Sequence, residues 1–224
     1  MKKGLTNMKN NMVMLIVLCG LLLVAGGCCP GKKGYVAFSF GLSKFDEGEY
    51  KAAIKYFTIA MNTGFEDKAE AYTQRGLAKW RMNDTLGAVE DYTKAFEENS
   101  EELTPVFYRG SIRYIMGDYE AALRDYLMLL EWDNNYEENR LEFDTNIGTL
   151  YLRIEKADSA MIWFSDAIEN SKHPENIFQN KKFKDWLDDT SDEELKTEIQ
   201  KKLSDMIASK DENTPKDSTE IEKH

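Results

Sequence analysis

The sequence predicts an all-α protein, a stack of about four helical hairpins followed by helices that close its C-terminal end. Glycine recurs with spacings of 35, 34 and 38 residues, and each of these glycines is followed 12 residues later by alanine and 16 residues later by an aromatic ring. Apolar residues between these positions follow the helical period, and a short polar break interrupts each unit. Such recurrence is typical of stacked hairpins, because one unit cannot bury its apolar face alone.

The composition fits a globular chain and argues against several functions. The 224 residues are 42% hydrophobic and 31% charged, which supplies enough apolar surface for a continuous core. The formal net charge of −11 argues against nucleic acid binding, because contacts to phosphates need basic residues. With only two histidines in the chain, we expect neither a transition metal nor a cofactor.

The N-terminal segment is predicted to be a targeting signal over residues 1–27. Lysines precede an apolar run from Met12 to Ala25, which is the layout of a secretory signal. Small residues then lead into Cys28 and Cys29, an arrangement that resembles the lipobox of bacterial lipoproteins, although Ala25 stands where leucine is usual.

The lipobox resemblance implies that residues 1–27 are removed, that Cys28 carries lipid such as palmitate, and that residues 28–34 link the lipid to the fold. An uncleaved membrane anchor and an ordinary cleaved secretory signal are the alternatives. Cys29 is expected to be unmodified, with an intermolecular disulfide or a second lipid as alternatives. We therefore expect a lipid-anchored protein of the bacterial cell envelope, at the outer membrane or periplasmic face.

The hairpin region is predicted over residues 35–170, in units of about 35–67, 68–101, 102–136 and 137–170. Small side chains let helices approach closely, so the glycine and alanine of one unit are expected to be neighbours, with the ring beside them. The small repeat positions are Gly41, Gly76, Gly110, Gly148, Ala53, Ala88, Ala122 and Ala160, and the rings are Phe57, Tyr92, Tyr126 and Phe164. A capping hydroxyl at Thr104 is expected to begin a helix of the third unit, with Pro105 at the first helical position.

These positions resemble the tetratricopeptide repeat (TPR) family, over about residues 34–170. With each glycine numbered as position 8 of its unit, a small residue occupies position 20, a ring position 24, and a small or apolar residue position 27. The final proline of the motif is absent from every unit, and an acidic insert, Trp132 to Asp144, precedes the fourth. The resemblance implies a right-handed superhelix whose concave face binds other proteins or peptides.

In this family, positions 2, 5, 9, 12 and 13 of the first helix of each hairpin face the concave groove. Here they form an aromatic-rich surface suited to a peptide or helix, unless several of the rings are buried between units or under the capping helices. The predicted groove residues are Phe38, Leu42, Phe45, Thr73, Leu77, Trp80, Arg81, Phe107, Ser111 and Tyr114, together with Tyr35 and Ile115.

Positions 7 and 23 should come together if the two helices of a unit touch at positions 8 and 20. The middle units place opposite charges there, which predicts the ion pairs Arg75–Asp91 and Arg109–Asp125, with a structural role. The outer units place apolar residues at both positions.

Residues 171–208 are predicted to form capping helices, because a repeat stack needs an end that is apolar inward and polar outward. Ser191 to Glu194 is a capping-box pattern that begins the last helix. The apolar stripes of this region are Phe178, Phe183, Trp186 and Leu187, then Leu195, Ile199, Leu203, Met206 and Ile207. The tail, residues 209–224, is polar and charged and is predicted to be disordered.

The predicted function is a protein-interaction scaffold or adaptor without enzymatic activity. Acidic clusters at residues 97–102 and 131–138 are expected to be solvated, with weak calcium binding at the second as an alternative. His173 is expected to end a helix and not to act as a base. The alternative function is a glycan or small-molecule binding module for nutrient uptake, in which Trp80 and Tyr114 stack on a sugar ring.

Overall fold

A computed structural model describes residues 30–132 and 140–213, and these residues form helices with no strand among them. The helices are α1 (Pro30–Asp46), α2 (Tyr50–Asn62), α3 (Lys68–Arg81), α4 (Thr85–Glu98), α5 (Thr104–Ile115), α6 (Tyr119–Trp132), α7 (Arg140–Arg153), α8 (Ala157–Asn170), α9 (Lys181–Asp189) and α10 (Glu193–Asn213). A short 3-10 helix, Pro174–Gln179, precedes α9. The predicted signal segment and its lipidation site, Cys28, lie outside the described residues.

Consecutive helices pack against each other, so that α1/α2, α3/α4, α5/α6 and α7/α8 form four hairpins, followed by α9 and α10. The predicted all-α fold, a right-handed superhelical stack of helical hairpins with C-terminal capping helices, is confirmed. Within the described parts of the chain, no helix has both the length and the apolarity needed to cross a bilayer.

The turn inside each hairpin has one residue in the left-handed conformation, always seven residues after the repeat glycine. This residue is Gly48, Asn83, Gly117 or Glu155, with φ of 78°, 62°, 79° and 60° respectively. Glycine adopts this conformation readily because it lacks a Cβ, and asparagine because its short polar side chain can hydrogen-bond locally, whereas glutamate has neither advantage. The fourth turn is therefore strained.

Side chains cap several helices at their N-termini. The carboxylates of Asp67 and Asp84 accept hydrogen bonds from the backbone N–H groups of Glu70 and Gly87, each at 3.0 Å. The prediction that the Thr104 hydroxyl caps the third unit is wrong. Thr104 is already helical, so its hydroxyl is not in the capping position. The Glu102 carboxylate, two residues earlier, accepts a hydrogen bond from the Thr104 N–H at 3.1 Å instead.

The repeat glycines lie directly against the aromatic rings of their own hairpins. A Cβ built on Gly41 or Gly148 would lie 2.6 Å or 2.7 Å from the ring placed 16 residues later, that of Phe57 or Phe164. At Gly76 the nearest atom again belongs to such a ring, Tyr92, at 3.0 Å. At these three glycines the ring, and not the alanine, therefore fills the space that glycine leaves, whereas at Gly110 the nearest atom is the Cβ of Asp125, at 3.0 Å. The four repeat alanines are fully buried.

The fourth hairpin begins within its predicted bounds, but the last part of the proposed acidic insert belongs to its first helix. Helix α7 starts at Arg140, and Asp144, assigned to the insert, is helical and fully buried. The Arg140 guanidinium lies 3.4 Å from its carboxylate, one helical turn away, which allows this charge to be buried. The remainder of the insert, residues 133–139, lies outside the described residues.

The C-terminal helices close the stack as their apolar stripes indicate. Phe183, Trp186, Ile199 and Leu203 are buried in one cluster with Phe164 of the fourth hairpin. Asp192, and not Ser191, caps α10, accepting from the N–H of Leu195 at 2.9 Å.

The last helix extends past the predicted boundary at residue 208, so residues 209–213 of the predicted tail are helical. The reason is Lys210, whose ammonium group donates to the backbone carbonyls of Ile168, Glu169 and Ser171 at the C-terminal end of α8. This end of α8 carries partial negative charge, which attracts the lysine and holds the extra turn in place. Residues 214–224 lie outside the described residues.

Candidate functional site

Two buried carboxylates hold the middle hairpins together, and both predicted ion pairs are confirmed. Asp91, 1% exposed, lies 2.7 Å from Arg75 and 2.9 Å from Lys79. In the next hairpin Asp125 lies 2.7 Å from Arg109 and 2.8 Å from Arg113. Each carboxylate therefore has two cations, one helical turn apart on the first helix.

Each of these clusters also bonds to the preceding hairpin, which the sequence analysis missed. The Arg75 guanidinium donates to the Thr58 hydroxyl of α2 at 3.0 Å, and Arg109 donates to Thr93 of α4 at 3.3 Å. Positions 7 and 23 thus lie at the interface between units. The signal was present, because Thr58 and Thr93 occupy the same register, 35 residues apart.

In the first hairpin the groove residues differ in how much surface they offer. Phe38 is half-buried, because its ring stacks on Phe65 at 4.2 Å between centroids. Phe45 is half-buried against Tyr50 at 5.3 Å. Leu42 is exposed. These residues lie on one helix as predicted, but only Leu42 among them has an exposed side chain.

Tyr35 is also exposed, at the start of the groove. Its hydroxyl donates to the Glu66 carboxylate at 3.4 Å. The negative charge of Glu66 raises the pKa of this hydroxyl.

In the second hairpin, Thr73 does not offer its side chain to a ligand. It is buried, and its hydroxyl donates to the carbonyl of Ala69 at 2.8 Å, within its own helix. Leu77 and Trp80 are half-buried, and Arg81 is exposed, with its guanidinium carbon 5.8 Å from the Trp80 ring centroid. These three side chains form the accessible part of the groove at this level.

In the third hairpin, Phe107 is held between rings and only partly accessible. Its ring lies 6.3 Å from that of Tyr126 and 6.5 Å from that of Phe143. The Ser111 hydroxyl lies 3.1 Å from the Tyr126 hydroxyl, and Ile115, 65% exposed, projects into solvent.

Tyr114 is not on the open groove, contrary to the prediction. It is only 8% exposed, and its hydroxyl donates to the carbonyl of Lys182 in α9 at 3.0 Å. Its ring is approached by the cations of Lys182 and Arg153 at 5.5 Å and 5.8 Å. The spacing of the aromatic residues places Tyr114 on the first helix of its hairpin. It does not show that α9, whose Lys182 lies 68 residues later, covers the ring.

Helix α9 therefore occupies the surface that the first helices of the third and fourth hairpins present. Arg153 of α7 pairs with Asp189 at 2.7 Å, and the Asn180 side chain donates to that of Asn146 at 3.1 Å. The Lys182 ammonium lies 5.2 Å from the ring centroid of Tyr126. The groove is thus filled at its C-terminal end by a segment of the chain itself and open along the earlier hairpins.

One buried polar group beside the groove has no hydrogen-bond partner in the described chain. The hydroxyl of Tyr92 is fully buried, whereas the equivalent hydroxyl of Tyr126 meets Ser111. The difference follows from the sequence, since Leu77 stands at the position of Ser111. Burial raises the pKa of the Tyr92 hydroxyl well above its usual range.

The acidic loops supply no metal centre within the described residues, where no group of three or more potential ligands could hold an ion. Glu97, Glu98, Glu101 and Glu102 are all exposed. The loop proposed as a weak calcium site falls largely in residues 133–139, outside the described ranges. His173 lies exposed at the start of the 3-10 helix, beyond the end of α8.

The fold and the groove define a helical-repeat protein with a surface lined by the first helix of each unit. Residues 69–102, which cover most of the second hairpin, match the tetratricopeptide repeat model.

Two curated relatives are similar to this chain. Tetratricopeptide repeat protein 6 of Homo sapiens is 26% identical over 145 residues, covering 64% of this chain and 26% of that protein. TPR repeat-containing protein MJ1428 of Methanocaldococcus jannaschii is 26% identical over 140 residues, covering 62% of this chain and 23% of that protein. The chain thus spans about a quarter of the length of the curated relatives it matches.

Solved structures of tetratricopeptide proteins share the fold. MamA from Desulfovibrio magneticus has a TM-score of 0.57 at 16% identity, over 80% of this chain and 97% of that one. YrrB, described as a TPR protein with an unusual peptide-binding site, has a TM-score of 0.53 at 18% identity, over 65% of this chain and 73% of that one. At these identities the similarity establishes the fold alone.

Proposed function

We propose that this chain is a membrane-anchored scaffold or adaptor that binds other proteins through the part of the groove that α9 leaves open, from the first hairpin to Ile115 of the third. One observation carries the proposal: the same surface, further along the stack, already holds a helix of the chain itself. The contacts to α9 combine a backbone carbonyl held by Tyr114, an ion pair from Arg153, and cations packed on rings. Such contacts suit a polypeptide, whose carbonyls and charged side chains they satisfy.

The open part of the groove has the chemistry of an interaction surface. Leu42 and Ile115 are exposed, Leu77 and Trp80 are half-buried, and Arg81 adds a cation beside the indole. Large apolar groups on a rigid helical framework bind a partner with little loss of side-chain entropy. A helix or extended segment with apolar side chains would bury these groups. The peptide-binding site of the structurally similar YrrB supports this type of partner.

The geometry disfavours the alternative of a sugar-binding module. Tyr114, one of the two rings expected to stack on a sugar, is covered by Lys182 and approached by Arg153. Tetratricopeptide folds generally serve as interaction modules, which agrees with the prediction that the chain is not an enzyme.

Binding is tested with charge-introducing substitutions at exposed positions, where the fold tolerates them. The test variants of the full chain are Leu42→Asp and Ile115→Asp, both in the groove. The matched controls are Leu86→Asp and Ile162→Asp, both on second helices. All four side chains are exposed. After crosslinking in intact membranes, we expect the groove substitutions to abolish the crosslinked products and the controls to keep them. Products unchanged by both groove substitutions would place the binding surface elsewhere.

The anchor is proposed on the sequence pattern at Cys28 and is tested separately. Mass spectrometry of the mature protein should find a chain that begins at Cys28 and carries acyl chains on it. In addition, Cys28→Ala should move the protein out of the membrane fraction. An unmodified Cys28, or a chain that retains the leader, would refute lipid anchoring and leave the groove proposal intact.

A further inference from the structure

The stack has one face that no neighbouring hairpin covers within the described residues. In the later hairpins, positions 3, 7 and 10 of the first helix pack toward the second helix of the preceding unit. Position 7 shows this directly, because Arg75 and Arg109 donate to threonines of α2 and α4. Position 10 is buried in all three later units, at Ala78, Ile112 and Leu150.

The first hairpin exposes apolar residues at positions 3 and 7, whereas position 10 is Ser43. We define the N-terminal stacking face as Val36, Phe40, Tyr56 and Ile59, at positions 3 and 7 of α1 and 23 and 26 of α2. Phe40 and Ile59 are each 46% exposed and Val36 is 39% exposed, while Phe40 stacks on Tyr56 at 5.7 Å. Three exposed apolar side chains beside the half-buried Tyr56 are more than the scattered exposure of an ordinary surface.

The fourth hairpin shows what such a face packs against. It has the same apolar pair at positions 7 and 23, Ile147 and Trp163. Both belong to an apolar cluster with Leu127 and Leu130 of the preceding helix, α6, and Ile147 is fully buried. The charged pairs of the middle hairpins meet threonine hydroxyls instead. An apolar pair therefore fits an apolar helix face.

We propose that the N-terminal stacking face binds the same face of a second copy, so that the chain forms a two-fold symmetric dimer joined at its first hairpins. The face is continuous with the interfaces that join hairpins inside the molecule, and it shares their positions 3 and 7. Among the described residues, the other exposed large apolar side chains lie in the groove, near turns or singly, as at Ile162. The face is thus its own best apolar complement, as a two-fold interface requires.

Charge favours the same arrangement. Residues 30–62 have five lysines and three acidic residues, a net charge of +2, whereas residues 63–213 have 19 basic and 34 acidic residues, a net charge of −15. Two copies that meet through the later hairpins would bring strongly acidic surfaces together, which is repulsive. Contact at the first hairpins keeps these acidic regions apart. It also brings the first helices of both copies together at the centre of the dimer.

The test replaces the apolar pair with the charged pair that the chain already uses. Phe40→Arg with Tyr56→Asp copies positions 7 and 23 of the second and third hairpins, so the hairpin keeps a compatible pair while its face becomes polar. Ile162→Asp is the control, an exposed apolar residue elsewhere. The full chain is purified in mild detergent, and its mass is measured by sedimentation over a wide concentration range. Circular dichroism and thermal unfolding verify that each variant is folded.

We expect two chains per particle for the wild type and for Ile162→Asp, and one for the double variant, a twofold fall in protein mass. A wild type with the mass of one chain at every concentration would overturn the proposal. So would a folded double variant that keeps the mass of two chains, since association would then use another surface. A third outcome is that the wild type has the mass of one chain and floats with anionic vesicles, whereas the double variant does not float. This result would assign the face to lipid and would also overturn the dimer.

Discussion

The carboxylate of Asp91 offers a direct test of how the middle of the stack is held together. Asp91→Asn keeps the shape of the side chain and removes its charge. The group is 1% exposed and lies 2.7 Å from Arg75 and 2.9 Å from Lys79, whose side chains are only 15% and 18% exposed. The substitution therefore leaves two poorly solvated cations close together without their shared counter-charge.

The size of the effect follows from the burial of this cluster. One charge pair about 4 Å apart is worth about 4 kcal/mol at an effective dielectric constant of about 20. Breaking a buried pair by removing one partner costs about 3–5 kcal/mol. The amide introduced by the substitution would still accept a hydrogen bond, so we expect a loss of about 3 kcal/mol in the free energy of unfolding. For a chain of this size, that lowers the melting temperature by roughly 6–12 °C.

The measurement is urea unfolding followed by circular dichroism, with a variant that removes all three charges as the control. Arg75→Met/Lys79→Met/Asp91→Leu replaces the cluster with apolar side chains, as the fourth hairpin does at positions 7 and 23. We expect this variant to unfold within about 1 kcal/mol of the wild type, because no charge is left buried and unpaired. A loss below about 1 kcal/mol in Asp91→Asn, or an equal loss in both variants, would refute the electrostatic account.

Four further substitutions test the packing of single residues, each by chemical or thermal unfolding. Glu155→Gly should stabilise the chain by about 0.5–1 kcal/mol, because it relieves the left-handed conformation at φ 60° at some cost in unfolded-state entropy. Tyr92→Phe should stabilise by about 1 kcal/mol by removing a buried hydroxyl without a partner, whereas Tyr126→Phe should destabilise by a similar amount. Because burial raises the pKa of Tyr92 above 10.0, its contribution to stability is complete below pH 10.0 and is lost as the pH rises further, and Tyr92→Phe should abolish this alkaline loss. Gly148→Ala should cost about 1–3 kcal/mol, because its methyl group would lie 2.7 Å from the Phe164 ring; an unchanged melting temperature would show that the ring yields freely.

The repeat and its charge pairs could be predicted from the sequence because they depend on the spacing of residues within one hairpin. Helical geometry puts residues 16 apart in one hairpin, such as Arg75 and Asp91, on facing surfaces once the turn is short. The ion pairs Arg75–Asp91 and Arg109–Asp125 were predicted on that basis and formed at 2.7 Å. The apolar stripe of the last helix was equally clear from its period.

The candidate groove was predicted less well, because exposure depends on what lies across the surface. Thr73 is buried within the stack, and Tyr114 lies beneath a helix that begins 67 residues later at Lys181. Nothing in the spacing around Tyr114 distinguishes a ring that faces solvent from one that α9 covers.

The amino-acid order alone was sufficient for the hairpins, their register and the residues that join the two helices of each unit, since these contacts are close in sequence and recur. Contacts between distant segments had to be seen in the folded chain: the seating of α9 on the groove, the lysine that extends the last helix, and the uncovered face of the first hairpin. The physical reason is that a period specifies which side of a helix is apolar, whereas the burial of that side depends on which other segment packs against it.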